Sequence, residues 1–211
     1  MIPDITIKTP GSEAIPSRRL SPYRAPFEFY PTPPEATRAF LAAEHFDDSI
    51  WEPACGQGAI AIECEAAGYD VAATDLANYG YGEAGLDFLK CEVPRGKHIV
   101  TNPPYGNGLA DRFIRQALQL TAKTGGKVAM LLNLASLCDP QRHHSYVARP
   151  PVRIYALDEC VCFPNGEPGL AGPYTRRHRY CWMVWEQTPK VETTFHWLST
   201  AQYADGGTPC Q

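Results

Sequence analysis

The stretch of this chain best equipped for chemistry is Asn102-Pro103-Pro104-Tyr105. It follows His98-Ile99-Val100-Thr101, a short apolar run that reads as a strand, so the tetrapeptide lies where a strand ends. Two consecutive prolines can neither continue a ladder nor enter a helix interior, which predicts a fixed extended turn. Such a turn aims the Asn102 side-chain amide and the Pro103 carbonyl into a common space, with the Tyr105 ring beside them. Two acceptors and a stacking surface suit a planar substrate that carries an NH2 group.

A second motif gives the first a partner. Residues 49–61, from Ser49 through Glu52-Pro53-Ala54-Cys55-Gly56-Gln57-Gly58 to Ala61, read as a strand, a glycine turn and a helix start. Gly56 and Gly58 allow positive φ and close approach of a ligand to the backbone. The third glycine of a dinucleotide fingerprint is missing. Residues 68–76 form a second strand ending in Asp75, about twenty residues past the first glycine, the offset of a carboxylate that binds ribose hydroxyls. Leu86-Asp87-Phe88-Leu89 follows before the Asn-Pro-Pro-Tyr strand.

Taken in order, Glu52-Pro53-Ala54-Cys55-Gly56-Gln57-Gly58, Asp75, Asp87-Phe88 and Asn102-Pro103-Pro104-Tyr105 resemble the motif series of S-adenosylmethionine-dependent methyltransferases that modify exocyclic amines. Within that superfamily the chain is most similar to small, often phage- or prophage-borne DNA adenine methyltransferases. The resemblance spans about residues 28 to 186. It implies a Rossmann-like class I methyltransferase fold, an α/β doubly wound and mostly parallel sheet with an antiparallel last strand. It also implies transfer of methyl from S-adenosylmethionine to the N6 amine of adenine in DNA. RNA adenine and protein-glutamine methyltransferases share Asn-Pro-Pro-Tyr and stay as alternatives, as does a DNA cytosine-N4 enzyme. A cofactor-binding but inactive module is a further reading.

The resemblance assigns catalysis to Asn102, Pro103, Pro104 and Tyr105. Asn102 Oδ1 and the Pro103 carbonyl would accept from the target amine, and Tyr105 would stack on a flipped base. It assigns cofactor contacts to Tyr30, Pro31, Thr32, Glu52, Pro53, Ala54, Gly56, Gly58, Asp75, Leu76, Asp87, Phe88 and Asn102. The first three come from a Phe-Tyr-Pro-Thr-Pro stretch that packs on the cofactor in the resembled family. No metal is implied.

A length of 211 residues and 44% hydrophobic content fit one soluble domain. No apolar run reaches the length of a membrane span, and Met1-Ile2-Pro3-Asp4 does not open a signal peptide, which predicts a cytoplasmic protein. The eight cysteines then do not point to disulfides, and Cys55, Cys64 and Cys138, in or beside apolar segments, read as small core residues. Cys160, Cys162, His178 and Cys181 match no strong zinc spacing.

The net charge of −4 conceals an asymmetry. From Glu44 to Glu92 the only cation is Lys90. From Arg95 to Arg179 the cations, including Arg112, Arg115, Lys123, Lys127, Arg142, Arg149 and Arg153, outnumber the acids. This is the pattern expected of a polyanion binder, with DNA or RNA as the partner. The long Gly/Pro-rich linker 163–179 ends in Arg176-Arg177-His178-Arg179, which suits phosphate contacts, with Tyr174 placed to stack on a base.

Periodicity orders the rest. Residues 1–26 read as a mobile arm, 27–188 as the methyltransferase domain, and 189–211 as an unassigned tail whose only pattern is Phe195-His196-Trp197-Leu198. A helix is expected through Ala36, Phe40 and Leu41, a second over residues 109–120, and a third from Leu134 to Val147. Residues 127–132 are apolar enough for a strand buried on both faces. Residues 152–157 and 180–185 supply two more strands with no helix between them.

Overall fold

In the computed structural model, residues 28–172, 175–187 and 192–206 are described; the expected N-terminal arm, 1–26, and Tyr174 lie outside them. Eight strands form one sheet in the order β3-β2-β1-β4-β5-β7-β6-β8. They are β1 (Ile50–Glu52), β2 (Val71–Asp75), β3 (Glu83–Ala84), β4 (His98–Thr101), β5 (Val128–Asn133), β6 (Arg153–Leu157), β7 (Tyr180–Trp185) and β8 (Thr194–Leu198). Only β7 runs against the others. This is the expected Rossmann-like α/β arrangement, with a mostly parallel sheet.

Helices α1 (Pro34–Ala43) and α2 (Ala61–Ala66) cover one face, and α3 (Leu109–Thr121) and α4 (Pro140–Ala148) the other. The α1 side packs Phe40 flat on Trp182, with ring centroids 4.5 Å apart, and the Trp182 indole N–H donates to the Ala36 carbonyl. On the α3 side, Ala110, Phe113 and Ala117 recur at helical spacing and pack with Trp51, Phe88 and Met183. Between these layers β5 and β7 are buried on both faces, which explains their nearly uninterrupted apolar sequences.

Two elements differ from expectation. Residues 134–147 are not one helix: a 3-10 turn, Leu134–Cys138, precedes α4, and Asp139 separates them by accepting from the Gln141 N–H with Pro140 at the first helical position. The second difference is in the tail, which supplies β8, parallel to β6 at the sheet edge. The Ala201–Gly206 turn then returns to α1, where Arg38 Nη1 donates to the Tyr203 carbonyl. The sheet therefore extends beyond residue 188.

The far end of the sheet is held by charge. Glu44, at the end of α1, is 4% exposed and accepts from Lys127 Nζ at 2.6 Å, Arg153 Nε at 2.6 Å and the Tyr155 hydroxyl at 2.9 Å. Burial alone would raise its pKa, but the hydrogen bonds and charges of Arg153 and Lys127 outweigh burial and hold it below the usual carboxylate value.

Candidate active site

Strands β1 and β4 are neighbours in the sheet although β2 and β3 intervene in sequence. The chain order reverses between them, and open α/β sheets bind ligands at the carboxyl end of such a reversal. The loop after β1 carries Gly56 and the loop after β4 carries Asn102, so topology brings the two sequence motifs side by side.

They share a partly open cleft with a cavity volume of about 230 Å3, lined by residues from both loops, from β2 and from the strap 28–32. Every predicted cofactor contact lines it except Gly58, whose close neighbour is the Tyr81 ring: a Cβ there would lie 2.7 Å from it. Gly56 does face the cleft. Its φ of +53° suits glycine, and a Cβ would come within 2.6 Å of the Phe29 ring. Of the four predicted catalytic residues, Asn102 and Pro104 line the cleft, while Pro103 is buried in the turn.

Several cleft groups are prepared for a ligand. Glu52 is 2% exposed, and its Oε2 has no hydrogen-bond partner. Burial, aided by the nearby Asp75 and Glu65 charges, pushes its pKa well above the usual value against the opposing Ala61 N–H. Thr32 Oγ1, also in the lining, is buried and unpartnered. Uncompensated buried polar groups are costly, so both fit a polar ligand that satisfies them. Asp75 is already shaped by its loop: Oδ2 accepts from the Gly56 N–H and Oδ1 from the Ala77 N–H, each at 2.8 Å. A carboxylate has about four acceptor positions, leaving about two for ligand hydroxyls. Asp87 accepts from the Leu89 N–H and pairs with Lys90. Phe88 is largely a core ring, edge-on to Trp51, with one border on the cleft.

The Asn102 amide is fixed from two sides. Its Nδ2 donates to the Tyr30 carbonyl at 2.9 Å, and its Oδ1 accepts from the Tyr105 hydroxyl, whose oxygen also lies within donating distance, 2.8 Å, of the Leu131 carbonyl oxygen. Tyr105 thus turns its hydroxyl inward, and burial keeps the phenol protonated far above its usual range. Sequence reasoning gave the Tyr105 ring a stacking role but missed this hydroxyl, because its acceptor comes from β5. It also missed Phe29 and Tyr79, which stack at 4.4 Å over the glycine loop. The alternation Tyr79-Gly80-Tyr81-Gly82 was the available signal.

The linker between β6 and β7 lies at the same edge. The Asn165 N–H donates to the Phe29 carbonyl, and the Leu134 N–H donates to the Arg179 carbonyl at 2.7 Å. Arg176, Arg177 and Arg179 are exposed there. The broader charge asymmetry shrinks on folding: Lys127 and Arg153 bind Glu44, Lys97 binds Asp47, and Arg142 binds Asp111. The basic surface is therefore smaller than the sequence suggests. Cys160 and Cys162 are buried with sulfurs 3.9 Å apart, and among the described residues no three His, Cys, Asp or Glu side chains gather as metal ligands.

No protein-family model and no curated protein sequence matches this chain. Solved structures do match its fold. A protein from Pyrococcus horikoshii described as an RNA methyltransferase superposes with a TM-score of 0.53 at 12% identity, over 80% of this chain and 92% of its own. A type I restriction enzyme modification subunit from Vibrio vulnificus gives 0.52 at 17% identity, over 80% of this chain and 47% of its own. The type I restriction-modification methyltransferase subunit from Streptococcus thermophilus gives 0.52 at 13%, over 83% and 47%. The match thus spans about half the length of each restriction-modification subunit.

Proposed function

We propose that this protein is an S-adenosylmethionine-dependent methyltransferase that modifies the N6 amine of adenine in DNA. The observation that carries this reading is the Asn102 amide, fixed at the β1/β4 reversal beside a cleft with a buried, uncommitted carboxyl group. When bound, S-adenosylmethionine supplies an electrophilic methyl group on a sulfonium. Glu52 and Thr32 would receive its amino acid end, and Asp75 its ribose hydroxyls. Phe88 and Asp87 would meet the adenine. An ammonium beside Glu52 would favour its charged form.

An aromatic amine is a poor nucleophile because its lone pair is delocalised into the ring. Asn102 Oδ1 retains a lone pair beyond the one given to Tyr105, and the Pro103 carbonyl supplies a second acceptor. Together they favour a pyramidal nitrogen and stabilise its developing positive charge. A base in duplex DNA must flip out to reach them, with the Tyr105 ring as its stacking surface. The restriction-modification neighbours and the exposed Arg176, Arg177 and Arg179 support DNA as the substrate.

Labelled methyl transfer to DNA, RNA and protein side by side, followed by nucleoside analysis, tests the proposal. N6-methyldeoxyadenosine is expected; label confined to RNA, to protein or to cytosine replaces it. Two substitutions probe the binding surfaces. Asp75→Ala should weaken S-adenosylmethionine binding by roughly 2–3 kcal/mol through lost acceptors for the ribose hydroxyls; unchanged affinity by calorimetry would remove Asp75 from the cofactor site. Replacing Arg176, Arg177 and Arg179 by alanine should weaken binding to unrelated DNA sequences alike and flatten the salt dependence by roughly one unit per contact. An unchanged slope would leave the loop as ordinary surface.

A further inference from the structure

Asn133 ends β5, two residues beyond Leu131, and so faces the α1 side one step further out than the carbonyl reached by Tyr105. Its amide is fixed. The Ala135 N–H donates to Oδ1 at 3.0 Å, which turns the NH2 group toward His178 Nδ1, also at 3.0 Å. Facing a donor, Nδ1 must act as acceptor, so the imidazole proton resides on Nε2. Asn133 thereby selects one tautomer of an exposed histidine and leaves it a free donor nitrogen.

That histidine stands beside the catalytic turn. Asn133 pairs in register with Tyr180, and the Tyr180 ring lies 6.2 Å from both Tyr105 and His178. Asn102 follows β4, the neighbour of β5, and ordinary strand spacings put it about 8 Å from Asn133. Arg179 braces the segment, its Nη1 donating to the carbonyls of Arg176 and His178.

We propose that His178, oriented by Asn133, is a specificity-determining residue whose Nε2–H donates to a ring nitrogen of the target base. The assignment rests on the nucleic-acid reading above. Adenine has acceptor ring nitrogens on both sides of its amine: N1, bonded to the same carbon, and N7 on the adjoining ring. In guanine and thymine the ring nitrogen corresponding to N1 carries a proton, so a fixed donor opposes them. Leaving such a donor unpaired is what makes a polar site selective. A neutral donor suits that neutral acceptor, whereas the neighbouring arginines suit phosphate.

The test uses the full chain and duplexes with adenine, 1-deazaadenine or 7-deazaadenine at the position that nucleoside mapping finds methylated. With adenine, His178→Phe should lower kcat/KM about tenfold. His178→Gln, which keeps a donor, should recover part of that loss, and cofactor affinity should not move. One of the deaza bases should cost the parent a similar factor and cost His178→Phe nothing more. Equal penalties in parent and variant, or no penalty with either base, overturn the assignment. A parent that methylates no nucleic acid overturns the underlying reading and the assignment with it, and that failure is seen before any variant is made.

Discussion

Asn102→Ala is expected to lower turnover by a factor on the order of 10² or more, while cofactor affinity stays within a few-fold. The asymmetry follows from what the amide does. In the proposed reaction Oδ1 would be used chiefly when charge develops on the attacking nitrogen, so its loss should raise the barrier more than it weakens binding. Removal of Nδ2 takes away its hydrogen bond to the Tyr30 carbonyl, and any small change in affinity would arise there. Single-turnover methylation at saturating cofactor, with calorimetry on the same protein, separates the two effects. Near-normal turnover would take Asn102 out of the reaction.

The second large effect is far from the chemistry. Glu44→Ala leaves Lys127, Arg153 and the Tyr155 hydroxyl without their shared acceptor in a mostly buried setting. Removing one member of such a network typically costs 3–5 kcal/mol, and partial exposure of the two cations argues for about 3. For a chain of this size that is a fall in Tm of roughly 6–12 °C. The pH dependence has a definite sign. The folded state holds the Glu44 pKa below 4.5, so its stabilisation is complete above that value and is lost as pH falls through the folded-state pKa. Thermal melts of the parent and variant should therefore converge in acid. A constant difference down to low pH would show that the carboxylate charge is not what holds α1 to β5 and β6.

The legible parts of this molecule were those encoded locally. β5 announced itself as Val128-Ala129-Met130-Leu131-Leu132, and the glycine turn, Asp75 and the double proline each constrain their own backbone. Pro140 after Asp139 was also a readable helix start, and overlooking it merged two elements into one. Other features depend on distant partners. β8 is mostly exposed, and its short Phe195-His196-Trp197-Leu198 pattern did not by itself define a strand, since pairing with β6 is what makes it one. The charge pattern overstated the basic surface because Lys127 and Arg153, in the basic half, fold onto Glu44 from the acidic half. Within the site, the residue types were visible, but the inward Tyr105 hydroxyl and the tautomer of His178 depend on β5, which no local spacing reveals.

The Tyr30 carbonyl belongs to the strap that also walls the cleft, and it is the anchor of the Asn102 amide. A shift of the strap would therefore change the cleft wall and the hold on Asn102 together. The coupling runs both ways, because free energy linking two sites is reciprocal. In the proposed reaction, a ligand that strengthens the strap would therefore steady Asn102, and a substrate held by Asn102 would slow escape from the cleft. The expected kinetic signature is a preferred order of binding, with the cofactor first and its spent form leaving last.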